Sequence, residues 1–334
     1  MGTAAPQADG SDSLASQLEL LREGTGLLDR SERGKLALEG PDAIEFLNGQ
    51  VTNELAGLAP GEGRYAAFLT HKGKMLGDLR VLAVTGADGQ LELLLDTERV
   101  ALQSLFDMIR RFKVGYRVEL HKRTLESGLL SLIGPSSEHV AGANPGTAEH
   151  ASAATEIDSV HALAVRTDAG IDLLCRAEDT EPLAVALRER GAVPVSEDAA
   201  ECLRIESGRP RFGIDLDESV IPQEAGLNER AVSFTKGCYV GQETVARLFY
   251  KGKPNRHLRG LRLSAPAGTG EPLLLGEREV GRVGSATVSP RLGPLALALV
   301  RREAEPGASL AVGDGAAVAE VVELPFVEPA ATAS

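Results

Sequence analysis

Apolar residues recur at two periods along this chain, and the two periods alternate. Leu14, Leu18 and Leu21 keep helical spacing and stop at Gly24-Thr25-Gly26. Residues 35–39 read as a strand, and Gly40-Pro41-Asp42 opens a second helix with Ile44, Leu47 and Val51 along its stripe. Residues 65–69 and 75–84 predict a hairpin across His71-Lys72-Gly73-Lys74. Gly86-Ala87-Asp88-Gly89 then turns the chain into a strand at 91–95. Thr97 is placed to cap a helix with Val100, Leu105 and Ile109 on one face, followed by strands at 114–120 and 129–133. Residues 141–156, rich in Ala and Gly and carrying Pro145, read as a loop or insertion. A second hairpin (160–166 and 171–176), a helix near 181–190, a short strand at 193–195 and a helix at 196–206 follow, so the order hairpin, helix, strand occurs twice. Beyond residue 250, short β-like runs at 258–263, 272–275, 279–283, 295–300 and 317–322 alternate with Gly and Pro turns, which predicts a small all-β unit. The fold class is therefore α+β with a β tail. Residues 1–13 are small and polar and read as disordered.

Composition narrows the function classes. The 334 residues suggest about two domains, enough chain to build a core without staples. With 35 basic and 48 acidic residues the net charge is −13, which argues against stable, nonspecific nucleic-acid binding. Cys175, Cys202 and Cys238 lie 27 and 36 residues apart, too sparse for a metal knuckle or a disulfide framework. Scattered histidines and the absence of a metal-ligand spacing predict no resident metal. No apolar run reaches membrane-spanning length and no secretory signal is visible, so a cytoplasmic protein is expected. GxGxxG and Walker loops are missing too.

The chemistry concentrates in Thr235-Lys236-Gly237-Cys238-Tyr239-Val240-Gly241-Gln242-Glu243, followed by Val245, Leu248 and Phe249 at the spacing of a buried helix face. Cys238 then precedes a helix N-terminus, whose free N–H groups and dipole favour a thiolate. Lys236 adds a positive charge, Gly237 and Gly241 admit unusual backbone and close approach of a ligand, and Gln242 and Glu243 offer polar groups in the first turn. An activated thiol in a ligand-lined pocket and a tight turn with an inert Cys are both open readings. Arg247, one turn beyond Glu243, heads a basic cluster with Lys251, Lys253, Arg256, His257, Arg259 and Arg262. That cluster is either a solvated face or a receiver of anionic groups.

Lys-Gly-Cys-Tyr-Val-Gly-Gln-Glu at 236–243 resembles the signature of the YgfZ family, folate-binding, iron–sulfur-cluster-associated relatives of the glycine-cleavage T-protein, an aminomethyltransferase. Arg204-Ile205-Glu206-Ser207-Gly208 with Pro210, Phe212-Gly213 and Asp215, then Ile221-Pro222-Gln223-Glu224, are similar to segments shared with T-protein. So are the block from Leu38 to Asn53 and the run from Leu69 through Lys72-Gly73-Lys74 to Asp78. The resemblance implies a T-protein-like fold with ferredoxin-like sheet and helix units: a tail and short helix at 1–25, a folate-binding core at 26–250 and a β-barrel at 251–328. It implies tetrahydrofolate or a derivative as cofactor, with Glu206 gripping the pterin ring by its carboxylate. Asp78 falls where T-protein carries an Asp-Asp pair, and Gly77 replaces the first of the two. Asp78 is either that functional carboxylate or a solvent-facing strand residue. Tyr239, Gly237, Gly241, Gln242, Glu243 and Arg247 would line the folate site, with Cys238 and Lys236 as its reactive pair. The implied role is a tetrahydrofolate-binding factor in assembly or repair of iron–sulfur clusters in client enzymes, including tRNA-modifying radical enzymes. Its partners would be client proteins or cluster carriers. The alternative is a folate-dependent aminomethyl or one-carbon transferase.

Overall fold

A computed structural model describes residues 13–86 and 88–327. The disorder expected at 1–13 therefore falls, except for Ser13, outside the described residues, as do Ala87 in its turn and residue 328 at the end of the expected barrel. Two sheets and a barrel organise the chain. One sheet has the order Gly63–Leu69, Met75–Thr85, Leu91–Thr97, Gly34–Glu39, Glu119–Lys122, antiparallel throughout. The other runs Val193–Pro194, Gly26–Asp29, Ser127–Ile133, Gly170–Arg176, Val160–Arg166, Ser152–Ile157, with one parallel pair at its Val193 edge. Six strands between Arg256 and Val322 close into a barrel, Arg256–Leu263 pairing with both Gly293–Arg301 and Ala317–Val322.

Each unit owns a core. The first sheet packs Leu36, Leu38 and Phe68 against Phe46 and Leu47 of helix Ala43–Asn48 and against Leu105 and Ile109 of helix Leu102–Phe112. Leu130, Leu132, Ile171 and Leu173 of the second sheet meet Leu183 and Leu187 of helix Thr180–Glu189. The barrel is filled by small and branched residues such as Val283, Ala296, Ala298 and Val321. Helix Glu197–Glu206, capped by the Ser196 hydroxyl, ties the units together by packing on helix Leu14–Glu23 and on the barrel.

Four elements differ from the sequence pattern. Thr97 is buried and donates its hydroxyl to the Asp78 carbonyl (2.5 Å), so it does not cap the helix, which starts at Leu102 after a tight turn. Residues 113–118 are turns, because Gly115 sits at φ +93 and leaves Val114 and Tyr116 exposed; the strand is only Glu119–Lys122. Part of the expected 141–156 loop is strand, since Ser152–Ile157 pairs with Val160–Arg166 as the sheet edge. Of the apolar stripe after the signature only Val245 is buried; Phe249 is exposed and stacks on Phe234 at 3.8 Å.

Candidate functional site

The register of the first hairpin builds the site. Ala67 pairs with Asp78 and Tyr65 with Arg80, which places Tyr65 diagonally across from Asp78 on one face. The Tyr65 hydroxyl donates to Asp78 Oδ2 at 2.7 Å. Asp78 is buried, so the solvent-facing reading does not hold. Burial pushes its carboxyl up to about 6, against the opposing pull of the Tyr65 hydrogen bond. Burial and the neighbouring carboxylate in turn hold the Tyr65 phenol well above its usual range.

The nearby cations are occupied elsewhere. Arg80 bonds Asp96 (2.7 Å) in its own sheet and Asp172 (2.5 Å) in the other, and Ser131 completes Asp172 at 2.6 Å. Arg33 clamps Asp96 (2.9 and 3.1 Å) and also meets Glu98. Burial opposes the Asp96 charge, but Arg33 and Arg80 outweigh it and keep that carboxyl far below the usual range. Two carboxylates on one face are thus set apart: Asp96 is permanently charged, and Asp78 is poised to hold a proton. Gly77 cannot be its acidic partner. A Cβ there would lie 2.6 Å from Ala101 Cβ and 2.7 Å from the Phe68 ring.

Arg230 lies over the Tyr65 ring (5.1 Å to its centroid), and the His150 ring packs beside it at 6.1 Å. Arg230 also pairs with Glu149. Both ring nitrogens of His150, Nε of Arg230 and Oγ of Ser152 are buried without hydrogen-bond partners.

The signature segment sits behind this hairpin. Lys236 is buried and donates to three carbonyls, those of Asn48 (2.7 Å), Val51 (3.0 Å) and Asn53 (2.6 Å). Desolvation lowers its pKa to about 8. Asn53 passes the constraint on, donating to the Tyr65 carbonyl (2.8 Å) and the Arg230 carbonyl (3.2 Å). Lys236 therefore fixes the loop that holds Tyr65 and points its ammonium away from any role as a free charge. Cys238 is exposed, whereas Cys175 and Cys202 are buried. The helix begins only at Gln242, four residues on, so Cys238 does not sit at its first turn. Tyr239 is buried, and burial raises its phenol to about 12. Gly241 (φ +85) is required by the hairpin turn, since a Cβ would strike the Thr70 carbonyl at 2.6 Å. Gly237 has no such demand; a Cβ there would meet open space. Gln242 reaches back to the Gly237 carbonyl at 3.5 Å, and Glu243 and Arg247 are exposed.

Glu206 stands in a separate cluster. Its buried carboxylate accepts from Arg22 (2.8 and 3.1 Å) and from the Ser289 hydroxyl (2.6 Å), where the first helix, helix Glu197–Glu206 and the barrel meet. No hydrogen bond or ion pair joins it to Asp78. Two cavities lie elsewhere: one of about 180 Å³ between the sheets, against Leu82, Asp96 and Leu174, and one of about 790 Å³ between core and barrel, against Glu224, Arg256 and Arg301. Neither is lined by Asp78, Glu206 or Cys238. Among the described residues no group of three His, Cys, Asp or Glu is placed to hold a metal, and no helix is long and apolar enough to cross a membrane. Sequence reasoning missed Tyr65, Arg80, His150 and Arg230. Counting pairs outward from the 71–74 turn would have set Tyr65 near Asp78; the other contacts are made across distant segments.

The chain matches two family models, the GCVT N-terminal domain over residues 6–236 and the glycine cleavage T-protein C-terminal barrel domain over 256–328. It is 30% identical over 325 residues to an aminomethyltransferase of Rubrobacter xylanophilus, covering 94% of this chain and 86% of the relative. An aminomethyltransferase of Halothermothrix orenii is 29% identical over 334 residues, with 94% and 92% covered. The solved structure of glycine cleavage system aminomethyltransferase T from Bartonella henselae superposes with a TM-score of 0.82 at 25% identity, over 95% of this chain and 90% of that one. The barrel, the paired sheets and the relatives agree, and the chain belongs to the glycine cleavage T-protein family.

Proposed function

We propose that this protein binds tetrahydrofolate and uses it in aminomethyl or one-carbon transfer. The observation that carries the reading is Asp78, a buried carboxyl with no cation of its own, held by Tyr65 and raised to about 6. The surroundings fit a polar heteroaromatic guest, because polar atoms of His150 and Arg230 flank the same tyrosine. Bound tetrahydrofolate would supply the nucleophilic amines that take up a one-carbon unit. The chain's own share is proton handling and placement. Asp78 gives or takes a proton at Oδ1 while Tyr65 holds Oδ2. Arg33 and Arg80 keep Asp96 from competing for that proton. A pterin contact for Glu206 belongs to this reading if folate displaces Arg22, whose side chain is 26% exposed. The test is calorimetric binding of tetrahydrofolate, then formation of methylene-tetrahydrofolate from an aminomethyl-lipoyl carrier with release of ammonia. Binding with turnover supports the transferase. Binding with no turnover overturns it.

One observation favours a second reading. Cys238 is the exposed thiol of a signature that resembles the YgfZ family, and Gly77 has no room for the acidic residue of the T-protein pair. On this reading the protein is a cytoplasmic, folate-binding accessory to iron–sulfur clients or carriers. A single thiol supplies far fewer than the about four ligands a cluster uses, so any cluster would be held jointly with a partner. Client enzyme activity in cells lacking the gene, restored by wild type and not by Cys238→Ser, would support it.

A further inference from the structure

The larger cavity, about 790 Å³ between core and barrel, has the volume of a small-molecule site. Its barrel wall is the outer face of strands Arg256–Leu263, Arg278–Ser289 and Gly293–Arg301. On that face Leu258 opposes Leu299, and both pack toward the core in the cluster that holds Ile205. Two residues further out along each strand, Arg256 opposes Arg301 on the same face. Like charges directly opposite on neighbouring strands repel and need an answering anion. Arg256 has one, bonding Glu224 at 2.9 and 3.2 Å. Arg301 has none: its guanidinium makes no hydrogen bond or ion pair with the described residues. Lys74 joins the two arginines from the core wall. Its ammonium and Arg256 Nη2 (2.9 Å) donate to the same carbonyl, that of Ser219.

Charge decides what the cavity takes. Three cations, Lys74, Arg256 and Arg301, stand at this end of it with two carboxylates, Glu224 and Asp217. Asp217 accepts from the Ser219 N–H at 2.7 Å and meets no cation. The other charges of the wall cancel, since Arg282 pairs with Glu279 (2.9 Å) and Asp215 with Arg204 (3.0 Å). One positive charge is left over, in a chain whose net charge is −13. The unused hydrogen-bonding groups lean the same way. Arg301 offers its whole fork of N–H donors, and Lys74 those its one carbonyl leaves free. Asn255 and Thr269, whose side chains also lack partners, add neutral donors and acceptors. A single carboxylate meets this count: it brings one negative charge and two oxygens spaced for the guanidinium fork. A phosphate dianion would overshoot the charge, and a cation would face Arg301 unpaired. We propose that the cavity is a binding site for a small organic acid, with its carboxylate on Arg301 and Lys74 and its polar body against Asn255 and Thr269. The site does not depend on the folate reading, because neither Asp78 nor Glu206 lines it.

The test is a thermal-midpoint titration of wild type, Arg301→Gln and Arg301→Lys with lactate and with inorganic phosphate, chloride holding the ionic strength constant. A ligand that binds only the folded state raises the midpoint along a saturation curve that yields Kd. The expected result is a saturable rise with lactate in wild type, roughly tenfold weaker binding in Arg301→Gln, and Arg301→Lys in between. Without ligand, Arg301→Gln should melt at or above the wild-type midpoint, because its loss relieves the repulsion with Arg256. A lower unliganded midpoint would make Arg301 a structural residue and overturn the proposal. So would a lactate response that is absent from wild type or unchanged in Arg301→Gln. Phosphate binding tighter than lactate would overturn the assignment to a carboxylate. A last arm measures tetrahydrofolate binding calorimetrically with and without saturating lactate. Equal Kd values support a separate site, and displacement of folate by lactate would overturn it. Should Arg301→Gln not fold, Lys74→Gln takes its place in the lactate titration, with the same tenfold loss expected and an unchanged Kd counting against the proposal.

Discussion

Asp78→Asn should stabilise the protein while disabling it, and the stabilisation should grow with pH. The wild-type carboxyl is raised from 3.8 to about 6 by burial. A group with a raised folded pKa contributes stability that is fully present below its unfolded pKa and lost as pH rises through the folded one. The shift is ~2 units, and at ~1.4 kcal/mol per unit the wild type gives up about 3 kcal/mol between pH ~4 and pH ~7. Asparagine does not titrate, so it escapes that loss. Its Oδ1 still accepts from Tyr65, as the neutral carboxyl does at pH 4, and the stronger bond of the charged form at pH 8 is already contained in the value of about 6. The net expectation is a variant about 3 kcal/mol more stable than wild type at pH 8 and no more stable at pH 4. Urea unfolding of both proteins at five pH values between 4 and 8 measures the difference directly. Asp96 and His150 also titrate on unfolding, but they are common to both proteins and cancel. In the same samples turnover should fall by ~100-fold or more if Asp78 handles the proton. A difference that stays flat with pH, or a variant less stable at pH 8, would refute the assignment of Asp78 as a carboxyl strained by burial.

Two further substitutions test what surrounds it. Lys236→Met leaves the carbonyls of Asn48, Val51 and Asn53 without their shared donor. It should cost about 3 kcal/mol in urea unfolding, and an effect below ~0.5 kcal/mol would mean the clamp is idle. Gly77→Asp, which restores the T-protein pair in sequence, should destabilise by about 3 kcal/mol through overlap with Ala101 and Phe68 and should not raise turnover; a stable variant with higher turnover would show that the strand relaxes to accept it.

The alternation of periods made the two sheets and the β tail legible, because in both the apolar pattern is local. The misplaced elements share a cause. Thr97 looks like a cap from its neighbours, but its hydroxyl finds the Asp78 carbonyl on another strand. The run at 114–120 has strand composition, yet Gly115 at φ +93 breaks it and leaves Val114 in solvent, so that only Val118 and Leu120 beyond the break reach the core. The site was half legible. Asp78 and Glu206 stand out through the family resemblance, and both are buried. Yet Glu206 is closed by Arg22, 184 residues away, and Asp96 by Arg33, 63 residues away. Pairings over such distances leave no periodicity to read. His150 looked like a stray histidine in an insertion, and only the fold puts its ring against Tyr65.

The geometry also explains how a signature can matter without reaching the reacting group. The ammonium of Lys236 holds the Asn53 carbonyl, and the Asn53 amide holds the backbones of Tyr65 and Arg230. The Tyr65 hydroxyl holds Asp78. At the other end of the segment, Gly241 packs on the 70–73 turn of the same hairpin, whose strands carry Tyr65 and Asp78. The signature thus grips that hairpin at two points and leaves Cys238 exposed between them. The transferase reading needs that hairpin held still, whereas the iron–sulfur reading would also draw on the exposed thiol between the two grips.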